Sequence, residues 1–292
     1  IRMINSINRF VEEAKDLKVL IVGETITDQF YKVIYEGHSM KSFCPVFQLI
    51  NEPPQVQEGG ALAIANHIRD FVQKVDLLTN DPSEIVKTRY MDAHSLHKHV
   101  EINHIHLEPT KNKIPQDEYD VIIIADFGHG FCDQLDLPDG VHLMCQTNSN
   151  NFGFNRVSKW KSVNKTSVCI DLREASLQMN MKVGLESESD LKELYNYEIN
   201  SRDLYVTQGR SGVIFTNGEK TEQFPAFKTE VADTIGAGDA FFAFASLMSH
   251  LNWPEYDRLS IPSLAASITT TWLANEHHVT KDLLIQHAER NL

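Results

Sequence analysis

Cysteine is scarce in this chain, and its four copies lie far apart. Cys44, Cys132, Cys145 and Cys169 form no Cys-x-x-Cys pair in 292 residues. Disulfide frameworks need more cysteines than this in a chain of such length, and zinc sites need closely spaced pairs. The scarcity argues against both and predicts reduced thiols, as in a cytoplasmic protein.

Long apolar runs and an excess of positive charge are missing as well. No segment approaches the roughly 20 apolar residues that cross a bilayer, and the first residues show no signal-peptide pattern. The chain has 27 Lys and Arg against 40 Asp and Glu, a formal net charge of −13. This charge disfavours nucleic acid and anionic membranes as partners. The chain opens Ile1-Arg2-Met3, which we interpret as the start of a fragment.

Short apolar runs alternate with helical patterns along the chain. Buried strands are predicted at 18–23, 75–78, 119–125, 141–145, 167–171 and 203–207, and helices at 60–72, 188–197 and 240–251. Such alternation is typical of a mostly parallel sheet with helices on both faces. With 42% hydrophobic residues, the chain can bury a substantial core. We predict a three-layer α/β/α sandwich in a single domain over 1–292.

Two β-rich stretches, 29–51 and 87–104, do not fit this alternation. The carboxyl ends of parallel strands meet at one edge of a sheet, where ligands bind. We therefore predict that the two stretches form a small β-sheet lid over this edge.

The segment from Asp233 to Phe241 (DTIGAGDAF) carries the sharpest chemical signal. Gly236 and Gly238 let successive backbone N–H groups point into one concavity, and the following helix adds its own unpaired N–H groups and the positive end of its dipole. Asp239 lies at the lip of this anion hole, where a carboxylate can act as a proton acceptor. Taken alone, the same residues are explained equally well by a tight loop with Asp239 as helix cap.

The full string resembles the Asp-Thr-x-Gly-Ala-Gly-Asp signature of the ribokinase-like (PfkB-type) carbohydrate kinases. The resemblance implies a ribokinase-like fold and the use of ATP and Mg²⁺. It further implies that Asp239 is the catalytic base and that Gly236, Ala237 and Gly238 belong to the anion hole. In this family the lid covers the sugar and often mediates dimerisation, so we expect a homodimer through the lid.

Several residues are expected to contact the sugar. Asp28 follows the first strand, where a carboxylate can accept hydrogen bonds from two sugar hydroxyls, although a solvated loop acid is the alternative. Gly59 and Gly60 resemble the family's Gly-Gly element at the start of a helix, but the asparagine that usually follows is absent. Asp126, at the end of another strand, is also interpreted as a sugar-side residue.

Within the family the chain is most similar to the kinase half of the bacterial heptose-7-phosphate kinase and nucleotidyltransferase proteins. Lys87 and Arg89 stand in a Lys-Thr-Arg strand like theirs and share one face of it. This cationic face is expected to hold a substrate phosphate, whereas a charged edge strand is nearly as good an explanation. The resemblance implies a sugar bisphosphate product for lipopolysaccharide or capsule assembly, and a nucleotidyltransferase as a fused or separate partner.

The nucleotide side resembles the family less sharply. Thr207, Gly209 and Gly212 lie in a turn like the one that borders the ATP phosphates, and Thr234 of the signature is also expected to bind the nucleotide. The adenine is expected between 215–227 and 265–274. Glu188 occupies the place of the family's Mg²⁺-organising glutamate, acting through water, but Leu185 replaces the partner asparagine.

The preferred hypothesis is thus an ATP-dependent sugar kinase that phosphorylates a sugar phosphate, such as heptose 7-phosphate, at the anomeric hydroxyl. The departures after Gly60 and at Leu185 keep a non-catalytic sugar- or nucleotide-binding relative open. The third hypothesis is a kinase that acts on an unphosphorylated sugar or on a nucleoside.

Overall fold

The structure of the protein is a computed structural model, and it describes residues 2–147, 155–180 and 188–291. The strands among these residues, in chain order, are β1 (Lys18–Gly23), β2 (Thr25–His38), β3 (Pro45–Leu49), β4 (Gln55–Gly60), β5 (Lys74–Leu78), β6 (Ile85–Asp92), β7 (Lys98–Ile105), β8 (Val121–Asp126), β9 (His142–Cys145), β10 (Lys165–Asp171), β11 (Ser201–Thr207), β12 (Val213–Thr216) and β13 (Thr221–Phe224). The helices are α1 (Arg2–Ala14), α2 (Ala61–Ile68), α3 (Leu172–Gln178), α4 (Glu188–Asn196), α5 (Ala237–His250), α6 (Glu255–Thr269) and α7 (Lys281–Arg290).

Eight strands form the main sheet, in the order β13-β12-β11-β10-β9-β8-β1-β5. The six strands from β11 to β5 are parallel to their neighbours, and β12 and β13 add an antiparallel edge. Parallel strands are buried on both faces, so they are rich in apolar residues without alternation. This explains why runs such as KVLIVG could be recognised as strands from the sequence.

Helices cover both faces of this sheet. On one face, Val19 and Ile21 of β1 belong to a core that includes buried residues of α1, α2, α5, α6 and α7. On the other face, Leu20 and Val22 pack in a second core with residues of α3 and α4. Successive side chains of a strand point to opposite faces, so β1 contributes to both cores. The predicted α/β/α layers are confirmed.

A second sheet of five strands forms the lid. Its order is β3-β2-β6-β7, and β4 pairs with the first half of β2. Prediction placed this sheet at 29–51 and 87–104, but its strands begin at Thr25 and include β4, which was not recognised. The β4 segment, QVQEGG, is short and polar and ends in two glycines, so it lacks the apolar or β-branched pattern of a strand.

Within the described residues, no helix is both long and apolar enough to span a membrane.

Candidate active site

An open cleft of about 1540 Å³ lies between the carboxyl edge of the main sheet and the lid. Twelve of the predicted site residues line it: Asp28, Gly60, Lys87, Arg89, Thr207, Gly209, Gly212, Thr234, Gly236, Ala237, Gly238 and Asp239. These residues come from five separate regions of the chain. The parallel topology gathers the strand ends of the main sheet at one edge, and the lid sheet brings Asp28, Lys87 and Arg89 to the same cleft.

The loop of residues 233–239, called the anion loop below, leads into α5. Gly236 is the N-cap of this helix and has a left-handed backbone with φ of 86°. A Cβ at this position would lie 2.7 Å from Asn275 Oδ1, so both backbone and space require glycine. Across the described chain, no hydrogen bond acceptor contacts the backbone N–H groups of Gly238 and Asp239. Unpaired N–H groups at a helix N-terminus bind anions.

Asp239 lies in the first turn of α5 and borders the cleft. Burial raises the pKa of its carboxyl from 3.8 to about 7, and the nearby negative charge of Asp28 adds to the rise. The positive charge of Lys87 acts in the opposite direction. A carboxylate with a pKa close to 7 is well matched to accepting a proton at physiological pH.

Asp28 faces the cleft from β2 of the lid sheet and is held by Arg89. The Arg89 guanidinium donates a hydrogen bond from Nη1 to Asp28 Oδ1 and another from Nε to Glu101 Oε2, the latter at 2.9 Å. Asp28 and Arg89 are both buried, with 4% and 7% of their surfaces exposed. Burial raises the pKa of Asp28, and the charge of Arg89 partly offsets this. Arg89 is therefore committed to two carboxylates and positions Asp28.

Lys87 is the neighbouring cation on the same face of β6, and it has a different environment. Across the described residues, its ammonium makes no hydrogen bond or ion pair. Burial lowers the pKa of Lys87, and the charge of Glu101 partly compensates. A cation that lines the cleft without a direct partner is available to a ligand.

Gly59 and Gly60 lie where β4 meets α2. Gly59 does not line the cleft, but a Cβ there would come within 2.7 Å of Asp28 Oδ2. At Gly60, φ is 66° and a Cβ would lie 2.2 Å from the Glu24 carbonyl oxygen. The two glycines therefore let the chain pass close to Asp28 and bring the start of α2 against Glu24, a packing role beside the predicted contact with sugar.

Asp126 is the predicted sugar residue that the structure keeps away from the cleft. Its carboxylate is fully buried and accepts hydrogen bonds from Trp160 Nε1 at 2.9 Å, Lys159 Nζ at 3.0 Å and the Gly128 N–H at 3.0 Å. Because these donors occupy it and it does not border the cleft, its contacts are those of a residue that fixes the turn after β8.

The far end of the cleft is lined by the residues that were predicted to bind the nucleotide. The N–H of Gln208 donates to the Gly212 carbonyl at 2.7 Å and closes the turn after β11. A Cβ on Gly212, where φ is 92°, would meet the Phe224 carbonyl oxygen at 2.0 Å. Residues of the two predicted adenine segments line this end, among them Ala226, Phe227, Ala266, Ser267 and Thr270.

No cluster of three His, Cys, Asp or Glu that could hold a metal ion occurs in residues 2–147, 155–180 and 188–291. Glu188 begins α4, but its side chain, like Leu185, lies outside the described residues.

Two residues that line the cleft were missed by sequence reasoning. Arg173, in the first turn of α3, lines the far end of the cleft. Asn275, after α6, lines the cleft beside Gly236. Asp171, which ends the predicted strand 167–171, lines the cleft as expected of an acid at a strand end, whereas Asn275 lies in a turn that has no sequence signal.

Comparison with known proteins gives a family match over part of the chain. Residues 166–270 match the model of a family described as pfkB family carbohydrate kinase. The Lactococcus lactis protein named ribokinase is 44% identical over 71 residues, 23% of each chain. A Thermoanaerobacterium thermosaccharolyticum protein named ATP-dependent 6-phosphofructokinase is 39% identical over 56 residues, 19% of this chain and 17% of that one. The matched stretches thus span less than a quarter of these curated relatives.

The fold is similar over almost the whole chain. The crystal structure of ribokinase from Thermotoga maritima has a TM-score of 0.68 at 14% identity and covers 94% of this chain and 99% of the other. The chain therefore has the ribokinase-like α/β fold with its large sheet, flanking helices and separate small sheet, as predicted. The family match thus covers part of a chain whose fold as a whole is ribokinase-like.

Proposed function

We propose that the protein is an ATP-dependent sugar kinase with Asp239 as its general base. One observation carries this proposal: Asp239, with its pKa raised to about 7, borders the cleft in the same helical turn as the unpaired N–H groups. Phosphoryl transfer needs a proton acceptor for the attacking hydroxyl and donors for the charge of the moving group. The similarity to proteins named ribokinase and ATP-dependent 6-phosphofructokinase supports the choice of ATP and of a sugar.

Different residues have different roles in the proposed reaction. Asp28 accepts hydrogen bonds from sugar hydroxyls and orients the acceptor, while Arg89 holds Asp28. Asp239 takes the proton as the hydroxyl oxygen attacks the γ-phosphorus in line. The N–H groups of the anion loop stabilise negative charge on the transferred group. Thr207, Gly209, Gly212 and Thr234 border the nucleotide phosphates, and a bound Mg²⁺ would supply charge neutralisation there.

We further propose that the acceptor is a sugar phosphate, with heptose 7-phosphate as the candidate and the anomeric hydroxyl as the site of transfer. The support is Lys87, whose ammonium lines the cleft and has no direct ionic partner across the described residues. Arg89 is a weaker candidate for binding the phosphate, because Asp28 and Glu101 already engage it. The reaction would produce a sugar bisphosphate, and a nucleotidyltransferase, fused or separate, would be a suitable partner.

Assembly as a homodimer through the lid is also proposed. The face of the lid sheet turned away from the cleft, called the outer face below, carries apolar side chains, among them Tyr31, Val56, Tyr90, Val100 and Ile102. Val56 and Ile102 are 56% and 55% exposed. Exposed apolar side chains gathered on one face of a sheet are typical of an interaction surface, and a second copy would bury them. We expect the protein to act in the cytoplasm.

The test is ADP release from Mg-ATP across free sugars, nucleosides and sugar phosphates, with the parent protein and Asp239→Asn side by side. Turnover that requires a sugar phosphate and falls by about 10²–10⁴ in Asp239→Asn is expected, since this is the usual worth of a general base. Turnover on free sugars or nucleosides alone, unaffected by Lys87→Met, would favour the third hypothesis. Nucleotide binding without turnover on any acceptor would favour the non-catalytic relative.

A further inference from the structure

The lid is joined to the anion loop by one ion pair. Lys98 of β7 donates its ammonium to Asp233 Oδ1 at 2.9 Å. The two residues are 135 positions apart in the chain. The Asp233 side chain is only 6% exposed, and that of Lys98 is 24% exposed. The pair is therefore mostly shielded from solvent, where an ionic hydrogen bond is stronger than at the surface.

Asp233 organises the backbone on both sides of the anion hole. Its Oδ1 also accepts the N–H groups of Thr234 at 2.8 Å and Ile235 at 3.4 Å. Its Oδ2 accepts the Ala274 N–H at 3.2 Å. One carboxylate thus ties the start of the anion loop to the turn of residues 270–275.

A second lid residue holds the same turn. Gln57 of β4 donates Nε2 to the Leu273 carbonyl at 3.1 Å, and its Oε1 accepts the Asn275 N–H at 2.7 Å. The side-chain oxygen of Asn275 lies 2.7 Å from the position that a Cβ on Gly236 would take. The lid therefore fastens both loops that enclose the left-handed N-cap of α5.

We propose that Lys98 is a positioning residue for phosphoryl transfer: from the lid it holds Asp233, and through Asp233 the anion loop, in the geometry that binds the transferring group. This inference rests on the proposed kinase function. Lid contact and the geometry of the anion hole are then coupled, because the ion pair exists only when β7 lies against the loop. Binding of the acceptor under the lid would stabilise this contact and align the N–H groups at the same time.

The contacts predict which kinetic constant responds. Lys98 makes its contact with Asp233, and the cleft is lined by Lys87 and Arg89 instead. Loss of the Lys98 ammonium leaves a buried carboxylate with backbone donors alone, so the loop relaxes while the acceptor keeps its contacts. A displaced N–H group affects the transferred phosphoryl group more than the ground-state sugar.

The experiment compares Lys98→Ala with Lys98→Arg and with Lys32→Ala. Lys32 is a matched control, since it also lies on a lid strand and its ion pair with Glu52, at 3.5 Å, is exposed. In Lys98→Ala, kcat is expected to fall roughly 10- to 100-fold, the scale of a misplaced catalytic geometry, with little change in KM for the acceptor. Lys98→Arg should recover part of kcat, and n-propylammonium should partly restore Lys98→Ala by taking the place of the lost side chain.

Hydrogen exchange of the backbone amides of residues 233–238 gives a readout that needs no turnover. Faster exchange in Lys98→Ala, slowed again by n-propylammonium and absent in Lys32→Ala, is expected even if the protein is not a kinase. Unchanged exchange, or a loss of kcat matched by a rise in KM and without amine rescue, would overturn the inference. Absence of turnover in the parent protein would refute the proposed kinase function, whereas the hydrogen-exchange result would still test the effect of Lys98 on the anion loop.

Discussion

Replacement of Asp239 by asparagine is expected to make the protein more stable while it removes activity. The ordinary pKa of the carboxyl is 3.8, and burial followed by the charge of Asp28 raises it to about 7. A carboxyl with a raised pKa holds its proton more tightly in the folded protein than in the unfolded chain. Its ionisation therefore costs folded-state free energy at every pH above the unfolded value.

The magnitude follows from the rise in pKa. A pKa that moves from 3.8 to about 7 corresponds to about 4 kcal/mol, at roughly 1.4 kcal/mol for each pH unit. This is an upper limit, because asparagine brings a polar amide that also loses water. We expect Asp239→Asn to raise the free energy of unfolding by about 1–3 kcal/mol at pH 8, where the parent carboxyl is ionised.

The pH dependence distinguishes this cause from a packing effect. Because the pKa is raised in the folded protein, ionisation of Asp239 lowers the parent's free energy of unfolding progressively between about pH 3.8 and pH 7. Above pH 7 this loss is constant. In urea unfolding at pH 5, 6, 7 and 8, the free energy of unfolding of Asp239→Asn should therefore exceed that of the parent by an amount that increases with pH and then becomes constant. Asp136→Asn, at an exposed position, should stay within about 0.5 kcal/mol of the parent. An advantage that is absent, or equal at every pH, would refute the reasoning.

Three further outcomes are expected. The rate of phosphoryl transfer should rise with pH through about 7 as Asp239 ionises. Lys87→Met should move this rise to higher pH, because the charge of Lys87 lowers the pKa of Asp239. A shift to lower pH would contradict this expectation. Gly236→Ala should lower the free energy of unfolding in urea by about 1–3 kcal/mol, because the backbone at this position is left-handed, and it should also lower kcat. Gly238→Ala should have a milder effect, since its Cβ would meet nothing within 4 Å. Equal effects of the two variants would argue against this explanation. Ile102→Lys should shift sedimentation of a dimer toward monomer by placing a charge on the outer face, and an unchanged dimer would argue for another interface.

The central sheet was predictable because its strands are buried on both faces and read as continuous apolar runs. The anion loop was predictable because glycines and an acid before a helix have a direct chemical meaning. Both depend on residues that are neighbours in sequence. Asp28, predicted just after the first strand, reaches the cleft of Asp239 from within β2 of the lid sheet.

The lid's contacts were not predictable in the same way. Gln57 and Lys98 act on partners 216 and 135 positions away, and nothing nearby in the sequence distinguishes them from solvated polar residues. Arg89 shows a related limit. Its spacing from Lys87 correctly placed both on one face, but only the structure shows that Asp28 and Glu101 engage Arg89. Asp126 ended a strand as predicted, yet its donors come from a distant segment.

The alternation of β6 has a consequence for how this protein can diverge. Lys87 and Arg89 point toward the cleft, while Tyr90 points to the outer face and stacks on Tyr31 at 5.4 Å between ring centroids. Substitutions can therefore change the ligand chemistry and the outward surface separately, one residue at a time. An insertion or deletion of a single residue in this strand would exchange the two faces, moving aromatic rings into the cleft and cations outward. Length variation among descendants of this sequence should be confined to the turns that flank β6.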